Sequence, residues 1–332
     1  MNIIVTKYVD GLIIYPELSD ELGNNIQGPS LIKTPEWLPN SLAKYYLYFA
    51  DHKGNHIKMA YADNLLGPWN IYSGGTLQLE DSGFLTESPE MPRNFDSAQS
   101  SVGLLEGFDP HPEQSEYIPT RLDDMMIPHI ASPDVHVDNE KKQIIMFYHG
   151  LEKFGTQSTK VAISSDGINF KNTTNIVSRP YFRRFKYKGT FYGMAMPGFI
   201  YKNTGDIDEY TEIKRLFPNK IRHSGVFLIE DTLYVFYSLV EDVPERIYVS
   251  TIELNTNAEN WKESNAKEVI RPTLDWEGVN LPLQHSSRSS INIPVNQLRD
   301  PYIFKDEDDM YLLYTAKGER GIGICHIEID YP

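Results

Sequence analysis

Ser132-Pro-Asp-Val-His-Val137, a polar turn over 138–142 and Gln143-Ile-Ile-Met-Phe-Tyr-His149 form the stretch on which the fold turns. A short polar motif with Pro leads into an apolar run, a turn, and then an aromatic and β-branched run. Val, Ile, Tyr and Phe favour strands, and Asp, Asn and Gly punctuate them, so the stretch reads as an antiparallel hairpin. Thr159-Lys-Val-Ala-Ile-Ser164 supplies a further strand before the Asp166-Gly167 turn.

The same plan recurs outward in both directions. Before it stand Gly28-Pro-Ser-Leu-Ile-Lys33, Lys44-Tyr-Tyr-Leu-Tyr-Phe-Ala50 and His56-Ile-Lys-Met-Ala-Tyr61. After it come Arg179-Pro-Tyr-Phe-Arg-Arg-Phe185 with Thr190-Phe-Tyr-Gly-Met-Ala195, then Arg222-His-Ser-Gly-Val-Phe-Leu228 with Thr232-Leu-Tyr-Val-Phe-Tyr-Ser238. Arg299-Asp-Pro-Tyr-Ile-Phe304, Met310-Tyr-Leu-Leu-Tyr-Thr315 and Gly321-Ile-Gly-Ile-Cys-His326 close the series. Antiparallel units repeated radially make a propeller, which protects most strand edges. The expectation is an all-β, five-bladed β-propeller, one domain over 1–332, with blades opening near 28, 132, 179, 222 and 299. Interruptions at about 70–128 and 255–298 predict long loops, which in compact domains often wall a site.

Composition narrows the function. The 332 residues carry 46 acidic and 31 basic side chains, a net charge of −15, so the surface repels phosphate backbones and nucleic acid is not the expected partner. No run of about 18 apolar residues exists to span a membrane. The N-terminus lacks the basic start and apolar run of a secretory signal. A cytoplasmic chain is the expectation, with a trimmed secreted or periplasmic form the alternative. The single cysteine, Cys325, rules out an internal disulfide framework and reads as a small buried hydrophobe in a strand. Tyr and Phe number 21 and 15, an excess that serves either a β-rich core or the stacking of sugar rings.

The motifs around Ser132-Pro-Asp134 resemble those of glycoside hydrolase family 43 and its five-bladed relatives, families 32, 68, 117 and 130. Ser165-Asp-Gly-Ile-Asn-Phe170 is similar to a later turn of that family, Leu66-Gly-Pro-Trp69 to an outer-strand ending, and Arg299-Asp-Pro-Tyr-Ile-Phe304 to a blade opening. The resemblance implies the propeller, a glycosidase acting on an oligosaccharide, and in some members a structural Ca²⁺ in the central channel. It also implies a general-base Asp in the first blade, a modulating Asp in the third and a general-acid Glu in the fourth. This chain has Gln27-Gly28-Pro29, Arg179-Pro180 and Arg222-His223 there. The family's mechanism is therefore not inherited.

Glycoside hydrolysis uses two carboxyl groups, one protonated and one ionised. Blade openings face a propeller's funnel, so Asp134 and Asp300 are the first candidates; the alternative for either is a turn cap. Glu319, in Lys317-Gly-Glu-Arg320, is a candidate acid if an apolar wall raises its pKa, and a solvated hairpin tip otherwise. Glu245 shares that ambiguity. His223 opens the fourth blade, while His52 and His149 follow matching strands; a His moves protons or binds hydroxyls. Arg183, Arg222, Arg288 and Arg299 gather near blade openings, where forks would grip an acidic sugar or pair with neighbouring carboxylates. His285 is read as a substrate contact and Trp276 as a stacking platform or a packed loop anchor. No Gly-rich phosphate cradle, helical zinc spacing or spaced Asp/Asn calcium loop is present, and no cofactor is required. The leading expectation is a glycosidase for a plant or algal oligosaccharide, acidic sugars included, working by carboxylate acid/base catalysis in the central funnel. A non-catalytic carbohydrate-binding propeller and a glycoside phosphorylase are the alternatives.

Overall fold

The aromatic runs form the middle strands of five antiparallel sheets. The computed structural model describes residues 2–9, 11–93, 95 and 122–330. Blade 1 is Gln27–Lys33, Tyr45–Ala50, His56–Ala62 and Asn70–Ile71, with Leu77–Gln78 also paired to its third strand. Blade 2 is Ile130–Asp138, Gln143–Lys153, Thr156–Ser164 and Lys171–Asn172. Blade 3 is Arg183–Tyr187, Thr190–Ala195, Phe199–Asn203 and Tyr210–Arg215. Blade 4 is Ile221–Ile229, Thr232–Leu239, Ile247–Glu253 and Lys267–Ile270. Blade 5 is Arg299–Asp306, Asp309–Thr315 and Ile322–Asp330, and its outermost strand is Asn2–Lys7 from the far end of the sequence.

The middle strands are buried on both faces, as Tyr45–Ala50 is throughout. The reason is that each blade packs against two others. One apolar core joins blades 1 and 2 through Tyr46, Tyr48, Met146 and Tyr148. Others join blades 2 and 3 (Phe147, Phe182), 3 and 4 (Phe185, Trp261), 4 and 5 (Phe236, Leu312), and 5 and 1 (Leu47, Ile324). Five interfaces between five blades close the ring. The buried tyrosines keep their hydroxyls bonded, Tyr48 to the Gly167 carbonyl and Tyr148 to that of Ser82, both at 2.7 Å. Cys325 is buried among these side chains.

The predicted insertions are shorter than expected. The 255–298 stretch contains the outer strand of blade 4, and 70–128 contains the outermost pairings of blade 1 and a short helix, Leu122–Met126. Residues 94 and 96–121 of that second stretch lie outside the described residues. Short, polar outer strands such as Lys171–Asn172 carry too little periodicity to be read in sequence.

Candidate functional site at the propeller axis

Four of the five opening strands are irregular at the same place. Pairing with the second strand breaks between Gln27 and Ser30, Ala131 and Asp134, Ile221 and Ser224, and Arg299 and Tyr302. Pro29, Pro133 and Pro301 fall in these bulges, where no ladder hydrogen bond is lost. Regular pairing then resumes at Ser30, Asp134, Ser224 and Tyr302, while blade 3 begins its pairing at Arg183. The residues two positions earlier are Gly28, Ser132, Arg222, Asp300 and Tyr181. Four of them have left-handed backbones, with φ of 65° at Gly28, 48° at Ser132, 60° at Tyr181 and 50° at Asp300. Such conformations in non-glycine residues cost free energy and gather at functional sites.

Around this upper layer the loops after the second strands bring further polar groups. Glu319 follows the left-handed Lys317-Gly318 turn, and its backbone carbonyl accepts from the Ile26 N–H at 2.7 Å. Its carboxylate meets Arg299 Nη1 and Asn25 Nδ2, each at 2.8 Å, His52 Nδ1 at 3.3 Å and Arg222 Nη2 at 3.8 Å. Glu245 accepts from Ser238 and Ser286 at 2.6 Å and lies 2.8 Å from Arg299 Nε and 3.5 Å from Arg222 Nη1. Asp300 faces His223 Nδ1, and Thr315 approaches its other oxygen at 3.4 Å. Tyr181 is stacked between His223 and His149, with ring centres 3.6 and 4.1 Å away, and its hydroxyl lies 3.4 Å from His52 Nε2. Arg222, Glu245, Arg299, Asp300 and Glu319 are each at most 1% exposed.

Two of the buried axial carboxyls, Asp300 and Glu319, have their pKa values driven apart. Burial, and then the Glu319 charge, push Asp300 up to about 6 against the pull of Arg222, Arg299 and His52. Burial acts on Glu319 in the same sense, but His52, Arg299 and Arg222 outweigh it and hold that carboxyl well below the usual range. Burial keeps His149 and His223 neutral, far below the usual imidazole value. Both ring nitrogens of His149 and Nε2 of His223 have no hydrogen-bond partner among the described residues.

The sequence-derived candidates divide in two. Asp300, Glu319, His223, His52, His149, Arg222 and Arg299 come together at the axis. Asp134 does not join them. It is bonded to His136 Nε2 at 2.7 Å and the Arg184 N–H at 2.8 Å, with Arg183 at 3.5 Å, and these hold it below the carboxylate range against its burial. Arg183 belongs to this lower layer too, donating to the carbonyls of Ser224 at 2.9 Å and Pro133 at 2.7 Å. His285 is exposed at the rim beside the Glu241 carbonyl, and Arg288 is tied to the backbone carbonyls of Asn219 and Ile221. Trp276 stacks on Tyr314 and lies against Gly323, so it packs the loop to blade 5. Glu319 has arginines around it where an apolar wall would be needed to raise its pKa, so its environment suits the ionised partner and not the acid. Reading the sequence left Tyr181 out; its place two residues before the first regular pair of blade 3 was the available signal. Asn25 gave none.

Gly28 occupies the first-blade position at which the family resemblance implies a carboxylate. A Cβ there would lie 2.8 Å from Ser132 Cα, so the neighbouring blade leaves no room for a side chain. Calcium takes six to eight oxygen ligands. Here the carboxylates of Glu245 and Glu319 are already neutralised by arginine, and apart from Asp300 Oδ1 the axial atoms without a hydrogen bond among the described residues are mostly imidazole and guanidinium nitrogens. These residues do not fit a Ca²⁺ site, and among the described residues no group of three or more His, Cys, Asp or Glu is arranged to hold a metal ion.

Blade number and topology together define a five-bladed propeller with the fold found in GH43 glycoside hydrolases. The exo-1,5-α-L-arabinanase from a bovine ruminal metagenomic library superposes with a TM-score of 0.51 at 13% identity, covering 92% of this chain and 94% of that one. For the GH43 β-xylosidase/α-arabinofuranosidase from a compost microbial metagenome, in complex with xylotriose and in calcium-free form, the score is 0.57 at 10% identity, covering 98% and 96%. The α-L-arabinanase of Cellvibrio cellulosa, complexed with arabinohexaose, gives 0.52 at 12%, covering 92% and 93%. At these identities the likeness is one of fold. No family model matches the chain. It belongs to the family of uncharacterized protein R118 of Acanthamoeba polyphaga mimivirus, with which it is 32% identical over 325 residues, 90% of this chain and 82% of that one.

Proposed function

We propose that the protein is a glycosidase that cleaves an oligosaccharide in the funnel, with Asp300 as the proton donor. The observation that carries the reading is the split between two buried carboxyls, one raised to about 6 and one held ionised. Pairs of titratable groups driven apart by their surroundings mark acid and base roles. In this reading Asp300 protonates the leaving oxygen. Glu319 stays charged, held by Arg299, Arg222 and His52 Nδ1, and is the ionised partner that takes a proton from water. Neutral His149 and His223 offer ring nitrogens to sugar hydroxyls. The oligosaccharides bound in the GH43 neighbours support the substrate class, and the absence of a first-blade carboxylate sets the mechanism apart from theirs.

The second reading is a carbohydrate-binding propeller without turnover. Burial favours it: Asp300 has no accessible surface, and a proton donor must reach its substrate. The two are separated by incubating the protein with neutral and acidic oligosaccharides, with and without phosphate, beside an Asp300→Asn variant. Asn tolerates the left-handed backbone at this position, so the variant should fold. The expected result is sugar release that falls at least about 100-fold in the variant, the range for losing a general acid. Release that requires phosphate would make the enzyme a phosphorylase. Binding without release in either protein would overturn the enzymatic reading.

A further inference from the structure

The opening strand of each blade starts at the funnel mouth and ends at a hairpin turn on the opposite face. On that opposite face, between blades 2 and 3, lies a cleft of about 470 Å³. It is lined by the 136–141 hairpin, residues 184–186, Phe191 and the 203–210 turn. Its volume lies in the range of small-molecule sites. Four basic side chains face it, His136, Lys141, Arg184 and Lys186, with Asp138 and Glu140 as its acids. On a chain of net charge −15 that balance is unusual.

Arg184 is the centre of the argument. Its guanidinium lies flat on the Phe191 ring, 3.6 Å from the centroid, with Phe147 at 5.8 Å. Nη1 is buried and has no acceptor among the described residues. Of the acids nearby, Asp134 and Asp138 are bonded elsewhere, and Glu140 is exposed to solvent. Asp134 accepts from His136 and from the Arg184 backbone N–H. Asp138 caps its own turn, accepting from the N–H groups of Glu140 and Lys141 and from Gln143. A half-buried cation with an unmet donor is costly until an anion arrives. His136, fixed through Nε2 by Asp134, keeps 29% of its side chain exposed at the cleft. Lys141 and Lys186 stand exposed at the mouth.

We propose that this cleft binds a sugar-sized ligand bearing an oxyanion, a carboxylate or a phosphate. Arg184 takes the oxyanion, His136 supports it and the two lysines draw it in. The site is separate from the axial cluster and stands whether or not the funnel hydrolyses anything.

The test is calorimetric titration of the full chain with D-glucuronate, glucose 6-phosphate, inorganic phosphate and glucose. The expected result is binding of glucuronate or glucose 6-phosphate, weaker with added salt, and retained in Asp300→Asn. The stronger of those two ligands identifies the oxyanion. Arg184→Gln should weaken binding at least about tenfold, the scale of a charge-assisted fork. Because Arg184 also packs on Phe191, the exposed pair Lys141→Glu and Lys186→Glu serves as a second variant, expected to weaken binding by about fivefold with an unchanged Tm. No binding by either anionic sugar, equal binding of glucose, or affinity unchanged in both variants would overturn the proposal. Inorganic phosphate binding as tightly as glucose 6-phosphate would overturn the sugar-sized ligand.

Discussion

Asp300 and Asp134 sit beside a proline in equivalent strands, yet they live in opposite surroundings. Asp300 precedes Pro301 and lies in the bulge, with a left-handed backbone and a raised pKa. Asp134 follows Pro133, where regular pairing has resumed, and its oxygens are bonded to His136, Arg184 and Arg183. One layer of the axis is polar, strained and partly unsatisfied; the layer beneath it, with Asp134, Arg183 and Ser224, is a closed bonding set. Two residues along one strand separate chemistry from structure.

The largest effect is expected where the upper layer is held together. Glu319→Ala leaves Arg299 and Arg222 buried without that counter-charge, and should cost about 3–5 kcal/mol in urea unfolding. A loss under about 1 kcal/mol would show that the arginines do not depend on it.

Asp300 should reverse the usual pH trend. Its folded pKa of about 6 exceeds the unfolded value, so the folded state holds the proton more tightly. Its contribution is complete below the unfolded pKa and fades as pH rises through 6, by about 3 kcal/mol at 1.4 kcal/mol per unit. Glu319 and Asp134, both lowered, contribute above their unfolded pKa and lose it as pH falls. Neutral His149 and His223 gain stability as pH rises over the same range, so the readout is a difference. From pH 4 to 7 the stability of the wild type relative to Asp300→Asn should fall by about 3 kcal/mol. An unchanged slope in the variant would break the distinction between the two aspartates.

Gly28→Asp restores the carboxylate that the family resemblance implies for the first blade. It should destabilise by about 2–3 kcal/mol, since its Cβ meets the Ser132 backbone and its φ is left-handed. Recovery of a faster, stable enzyme would contradict the packing argument. The smallest change belongs to Asp134→Asn, which keeps the shape but weakens charge-assisted bonds. It should lower stability by about 2 kcal/mol and leave turnover intact. Lost turnover in a folded variant would bring Asp134 back into the site.

The same comparison explains what could be read from sequence. Strand runs such as Tyr45–Ala50 announce themselves because both faces are buried and the whole run is aromatic or aliphatic. The five openings are legible because Pro or a basic residue marks each of them. Which side of the bulge a carboxylate occupies is not marked: Asp-Pro and Pro-Asp look alike until the register is known. Glu319 and Glu245 come from loops whose inward turn depends on Gly318 and on the backbone bridge between Glu245 and Gln297. Trp276 and His285 stayed open between packing and binding because a loop aromatic or histidine has the same appearance in either role; Trp276 takes the packed one. The outermost strand of blade 5 went unread because its partner lies more than 300 residues away.

That pairing also bears on how the chain folds. Asn2–Lys7 precedes all the other described strands in the sequence but pairs with Ile322–Asp330, which follows them. Blades 1 to 4 can each form from nearby sequence, whereas blade 5 must wait for the final strand. Loop closure over such a distance is slow, and an unpaired edge is exposed to other chains meanwhile. The ring is thus fastened by its most distant contact, and the growing chain carries an open sheet edge until that contact forms.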